Sequence, residues 1–280
     1  MKKLILTAAL ILATFTMKSQ ELLVISSDLL KCDDSILVFT PGHSGHCRKL
    51  GENTNEAIPT LFLLHGWSGC YRNWADKSDL QQISDRFGFR IICPDGFYNS
   101  WYANNVDKEK MQWRSFFDRE LYPQMMEKYN LDPEQTFITG LSMGGLGAIN
   151  IFLDDISRFR AAGSMSGVLD IYHASPNLLD KELSQILGPY TPENPLYDVN
   201  NPIGNLDKVA GSGKLMVISC GYEDYYVKCT MDFAAKCREM KIPHIMLLSP
   251  GRHSWIYWDY ALVEHLEFFK KILQGDNLGY

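Results

Sequence analysis

Apolar positions recur along this chain in two rhythms. Short runs such as Thr60-Leu61-Phe62-Leu63-Leu64, Phe89–Cys93, Thr136–Thr139 and Lys214–Cys220 are apolar almost without interruption. That is the pattern of strands covered on both faces, as in parallel sheets. Ala161–Met165 and His244–Ser249 read as two more. Between the runs lie stretches with helical spacing: Lys77–Phe87, Met111–Tyr129, Ser142–Leu153, Val227–Met240 and Trp255–Leu273. In the second of these, Trp113, Phe116, Phe117, Leu121 and Met125 fall on related turns and mark a buried stripe. Leu22–Ser26 and Ser35–Phe39 alternate apolar with polar instead, which predicts an opening antiparallel pair.

Strands and helices alternate from residue 60 onward. This predicts an α/β fold with a mainly parallel central sheet and helices on both faces. Residues 169–205 break the alternation with Pro176, Pro189, Pro192, Pro195 and Pro202, and read as an irregular insertion or lid-like segment. Hydrophobic residues make up 46% of the 280, enough for one large core, so residues 21–280 read as a single domain.

The first 20 residues follow a different rule. Met1-Lys2-Lys3 is a basic start, Leu4–Met17 is apolar apart from threonines, and Lys18-Ser19-Gln20 turns polar. This is the layout of a secretory signal peptide, and an apolar stretch of about 14 residues is short for a membrane span. The expectation is therefore an exported protein, secreted or periplasmic, with no stable span after cleavage. Loss of Lys2, Lys3 and Lys18 takes the net charge from -6 to -9. Such an acidic chain is a poor partner for nucleic acid, whose phosphates require a basic face.

Seven cysteines in an exported chain leave at least one unpaired. Cys93 and Cys220 end apolar runs and read as buried thiols, while Cys32 and Cys47 flank a short strand and are candidates for a bridge. No Cys-x-x-Cys and no zinc-type spacing occurs, so no metal and no organic cofactor is implied.

In open parallel sheets ligands bind beyond the carboxyl ends of the strands, so reactive residues just after strands carry the chemistry. Thr136–Thr139 runs into Gly140-Leu141-Ser142-Met143-Gly144-Gly145 and then a helix. A serine on a sharp strand-to-helix turn has its hydroxyl exposed, and flanking glycines relieve the crowding. The five-position match alone leaves Ser142 open as a plain turn residue. A serine nucleophile needs a base, and His253 lies between the last strand and the last helix. His265 falls mid-helix and reads as a packing or surface residue, while His43 and His46 lie in the N-terminal loops. The orienting acid is Asp224, with Glu223 as the alternative, both just after the Lys214–Cys220 strand. The order Ser142, Asp224, His253 is that of α/β-hydrolases. Oxyanion donors are expected from the backbone N–H groups of Trp67, in Leu64-His65-Gly66-Trp67-Ser68-Gly69, and of Met143, with His65 holding the loop.

Together with Pro94-Asp95-Gly96, Asn99-Ser100-Trp101-Tyr102 and Gly221-Tyr222-Glu223-Asp224, these segments resemble an esterase family of α/β-hydrolases. That family includes esterase D (S-formylglutathione hydrolase), tributyrin, feruloyl and acetylxylan esterases, and the antigen 85 mycolyltransferases. The resemblance spans about residues 22–272 and implies the α/β-hydrolase fold, with the triad and oxyanion roles just given. It also implies that Asp95, Trp101 and Tyr102 shape the cleft. Trp67 stands where leucine or methionine is common, which implies a narrower acyl pocket.

The expectation is a secreted serine carboxylesterase working through an acyl-enzyme. Its partners would be small or polysaccharide-linked esters, with feruloyl and acetyl groups on xylan as the sharpest case. Trp101, Tyr102 and Trp255 are the substrate-binding candidates, within an aromatic supply that also includes Trp67 and Trp258. Two alternatives stay open: an acyltransferase to a sugar or cell-wall acceptor, and a non-catalytic carbohydrate-binding member of the fold.

Overall fold

The computed structural model describes residues 20–42, 57–174, 177–276 and 278. Nearly all of the signal-peptide segment, together with His43, His46, Cys47 and Pro176, lies outside the described residues, and so does the proposed Cys32–Cys47 bridge.

The strands are β1 (Gln20–Ser27), β2 (Cys32–Phe39), β3 (Thr60–Leu64), β4 (Arg90–Cys93), β5 (Thr136–Gly140), β6 (Ala161–Met165), β7 (Leu215–Gly221) and β8 (His244–Ser249). They form an eight-stranded sheet in the order β1-β2-β4-β3-β5-β6-β7-β8. β1 pairs antiparallel with β2, and β2 with β4. The other pairings are parallel. The alternating segments at the start thus form the antiparallel edge, and the continuously apolar runs form the buried parallel centre.

The helices are α1 (Asn73–Lys77), α2 (Leu80–Phe87), α3 (Trp113–Phe116), α4 (Tyr122–Tyr129), α5 (Met143–Asp154), α6 (Ser184–Leu187), α7 (Pro195–Val199), α8 (Val227–Glu239) and α9 (Trp255–Leu273). Why the central strands need apolar residues at every position is visible in β3. Phe62 and Leu64 join one core with α3, α4, α5 and α8, while Leu61 and Leu63 join the other with α2 and α9. Successive strand side chains point to opposite faces, and here both faces are covered.

Three expectations change. The helix expected over Lys77–Phe87 starts at Leu80, because Asp79 caps α2 by accepting from Gln82 N–H, and Lys77 instead ends α1. The one expected over Met111–Tyr129 starts at Trp113 and carries a π-helical turn at Phe117–Leu121 between α3 and α4. Residues 169–205 are mostly helical turns rather than irregular chain: Leu178–Leu183 runs into α6, α7 follows, and a 3-10 stretch covers Pro202–Lys208. Pro195 and Pro202 sit in first helical turns, where a missing N–H costs nothing, so they start helices instead of breaking them.

Candidate active site

Ser142 closes the turn between β5 and α5. Its backbone is left-handed, with φ 51° and ψ -116°, a conformation that costs a non-glycine residue roughly 1–3 kcal/mol. The turn is held by Leu141 N–H on Leu64 O at 3.2 Å and Ser142 N–H on Met165 O at 2.9 Å. It can be this tight because α5 starts almost on top of the sheet. A Cβ at Gly144 would lie 2.5 Å from His65 O and 2.6 Å from Leu64 O, so only glycine fits there. The expected helix start at Ser142 shifts by one residue, since the strained serine precedes α5 as its cap.

Three of the expected side chains meet. His253 Nε2 lies 2.9 Å from Ser142 Oγ, and its Nδ1 lies 2.9 Å and 3.1 Å from the two Asp224 oxygens. The hydrogen bonds fix the sense of the relay: Nδ1–H donates to the carboxylate and Nε2 accepts from the serine hydroxyl. Asp224 also accepts from Tyr226 N–H at 2.8 Å. Burial pushes the Asp224 carboxyl up, but the His253 hydrogen bond and charge and the Tyr226 N–H outweigh it and hold it below the usual carboxylate range. The imidazole is walled by Tyr225 at 4.4 Å, Trp258 at 4.8 Å and Tyr226 at 5.3 Å between ring centres.

Glu223, the alternative acid, has other work. Its Oε2 accepts from Gly251 N–H at 2.8 Å, and its own N–H donates to Gly251 O at 3.0 Å. The loop that carries His253 is thereby tied to the loop that carries Asp224.

Opposite the serine, the loop after β3 offers backbone donors. Among the described residues, neither Trp67 N–H nor Met143 N–H donates to another protein group. The loop passes close to Ser142, since a Cβ at Gly66 would lie 3.5 Å from Ser142 Cβ. His65 holds it as expected: Nε2 accepts from Gly96 N–H at 2.7 Å and Nδ1 donates to Gly66 O at 2.8 Å, which defines the neutral tautomer. Ser68 N–H donates to Tyr98 O at 2.7 Å and fixes the far end.

The substrate-binding candidates fall elsewhere. Tyr102 is fully buried, its hydroxyl donates to His65 O at 2.9 Å, and its ring stands edge-on to Trp113 at 4.6 Å. Trp101 is 4% exposed and belongs to the core. Both have φ 52°; the Tyr102 hydroxyl ties the segment to the loop after β3, and Trp101 lies in the core. Asp95 likewise secures a turn, accepting from Phe97 N–H at 2.7 Å. Trp255 is half-buried against Trp74 and Trp258, and Trp258 in turn stands edge-on to the His253 ring. The Trp67 indole lies at the rim, 42% exposed, edge-on to Tyr98 at 5.0 Å and donating to Glu182 Oε2 at 3.0 Å.

Sequence reasoning missed Tyr98, Glu182, Tyr225 and Tyr226. The two tyrosines following Asp224 were a usable signal, since residues next to a triad acid fall near the base. Glu182 left none, because its contact with Trp67 spans 115 residues. Among the described residues, no group of three or more His, Cys, Asp or Glu is placed to hold a metal.

Residues 27–269 match the family described as "Putative esterase". The chain belongs to this esterase family. An acetyl esterase from Caldicellulosiruptor saccharolyticus is 25% identical over 88% of this chain and 96% of its own. An S-formylglutathione hydrolase from Mus musculus is 26% identical over 89% and 93%. Among solved structures, a ferulic acid esterase superposes with a TM-score of 0.75 at 23% identity, covering 91% of this chain and 99% of its own, which shows the shared fold. The family is one of serine hydrolases on the α/β-hydrolase fold, and this esterase is an enzyme of that class.

Proposed function

We propose that this protein is an exported carboxylesterase in which Ser142 is the nucleophile, His253 the general base, Asp224 its orienting acid, and the N–H groups of Trp67 and Met143 the oxyanion hole. The observation that carries the reading is the unbroken hydrogen-bond chain from Asp224 through His253 to Ser142 beside two unpaired backbone donors.

The chemistry follows from that order. His253 Nε2 takes the Ser142 proton as Oγ attacks the ester carbonyl, and Asp224 stabilises the imidazolium that forms. Charge on the carbonyl oxygen is met by the two backbone N–H groups, which are already fixed before reaction. His253 then protonates the leaving alcohol. Water, deprotonated by the same nitrogen, releases the acid from the acyl-enzyme.

On substrate, exposed aromatic rings flank the site at Trp67, Tyr98 and Tyr225, surfaces suited to sugar rings and aromatic acyl groups. Together with the acetyl esterase relative, they favour acetyl or feruloyl esters on a polysaccharide. Export belongs to the same proposal and rests on the pattern of residues 1–20. Among the described residues no helix is long and apolar enough to cross a membrane.

The test is an ester panel of p-nitrophenyl acyl chains, methyl ferulate and acetylated xylan, run on the wild type and on Ser142→Ala. The reading predicts release of acetate or ferulate that the variant abolishes. Equal turnover by the two proteins would contradict it.

A further inference from the structure

Glu182 reaches the rim of this site from the segment that precedes α6. Its carboxylate accepts from the Trp67 indole, and Trp67 is the residue whose backbone supplies an oxyanion donor. The Trp67 ring beside it stands edge-on to Tyr98 at 5.0 Å, so the carboxylate and both rings share one stretch of rim. The segment bearing it is fastened to the body of the protein. Val106 N–H donates to Ile186 O at 2.7 Å, and Asn99 Nδ2 to Gln185 Oε1 at 3.2 Å. Glu182 is half-buried, and among the described residues no Lys or Arg pairs with it. A carboxylate without a Lys or Arg partner among the described residues is therefore held at the rim on the Trp67 side of the site.

We propose that Glu182 is a charge filter for this site, selecting uncharged esters and disfavouring those that carry a carboxylate. The inference rests on the esterase reading and sharpens its substrate class toward neutral esters such as acylated sugars. A unit charge about 8 Å from another in a half-exposed site changes binding by about threefold, and salt weakens the effect. Nearby charges do not decide the sign in advance. Glu223 is engaged by Gly251 N–H and Asp224 by His253, while Arg252 and Lys181 are exposed beside His253 and Glu182 and would favour anions.

The experiment compares 4-acetoxybenzoate with its neutral methyl ester, methyl 4-acetoxybenzoate, on the wild type, Glu182→Gln and Glu182→Lys at low and high salt. Gln keeps an acceptor for the Trp67 indole and removes only the charge. The proposal predicts that the anionic-to-neutral ratio of kcat/KM rises by about threefold per unit charge in the order Glu, Gln, Lys. High salt should narrow the spread. A ratio that stays flat or falls across the series overturns the filter, because a merely structural role for Glu182 would scale both substrates alike. Failure of the wild type to hydrolyse the neutral ester would instead overturn the esterase reading on which the filter rests.

Discussion

Glu223 and Gly251 hold each other twice, side chain to N–H at 2.8 Å and N–H to carbonyl at 3.0 Å. The two loops meet so closely that a Cβ at Gly221 would lie 2.2 Å from Gly251 O. Gly251 is itself left-handed at φ 156°, and a Cβ there would meet the Tyr257 ring at 2.4 Å. The distance between Asp224 and His253 is thus set by their immediate chain neighbours.

Glu223→Ala should therefore lower kcat by about threefold to tenfold, since catalysis falls steeply when a base is slightly misplaced. Glu223→Gln, which retains the acceptor, should stay near the wild type. Steady-state kinetics with p-nitrophenyl acetate separates the two, and equal values for Ala and wild type would remove Glu223 from the positioning of His253.

Asp224→Asn tests the relay itself. An amide in place of the carboxylate keeps the shape but favours the wrong imidazole tautomer, and kcat should fall by about 10⁴. Circular dichroism should show an intact fold, because the Tyr226 N–H can still be accepted by the side-chain oxygen. Retention of more than a tenth of the activity would contradict the role of Asp224.

His265 predicts an acid limit to stability. It is fully buried between Thr139 on β5 and Ser219 on β7, with Nδ1 3.1 Å and Nε2 2.9 Å from their hydroxyls. Burial pushes its pKa down to about 3 from a usual 6.5. Its contribution is full above about pH 6.5, where both states are neutral, and is lost as pH falls toward 3 because only the unfolded chain takes the proton. Tm should drop across that window by an amount worth up to about 1.4 kcal/mol per pH unit. His265→Gln should be less stable at pH 7 and flatter below it. An unchanged slope in thermal melts would count against this account.

Asp34 works in the opposite direction. Its carboxyl is buried, one oxygen accepts from Asp95 N–H at 3.0 Å, and the other has no partner. Burial first, and the Asp95 charge second, push its pKa up to about 8. A raised acid pKa gives stability that is complete below about pH 4 and lost as pH rises through 8. Asp34→Asn should raise Tm more at pH 8 than at pH 4. A gain of equal size at both pH values would show that ionisation of Asp34 is not the cause.

The sheet and the meeting of Ser142, Asp224 and His253 were legible because each rests on local chemistry. Continuous apolar runs mark two-faced strands, and Gly140, Gly144 and Ser142 mark a turn that only such residues can make. Ser142, Asp224 and His253 fall after strands, where this sheet type exposes them. The burial of Trp101 and Tyr102 was not legible, because aromatic residues near a site read the same in sequence whether they pack into the core or face solvent. Prolines 195 and 202 misled for a related reason, since a proline breaks a helix from within but begins one from its first turn. Glu182 and the Glu223–Gly251 tie are long-range contacts, which no periodicity records.

The central claim is that Ser142 is the acylated nucleophile. Intact-mass measurement after treatment with a fluorophosphonate probe tests it most directly. The account predicts one adduct per chain, located to the peptide containing Ser142, absent from Ser142→Ala and formed far more slowly in His253→Ala. An adduct that persists in Ser142→Ala, or a wild type that hydrolyses esters without labelling, would contradict it.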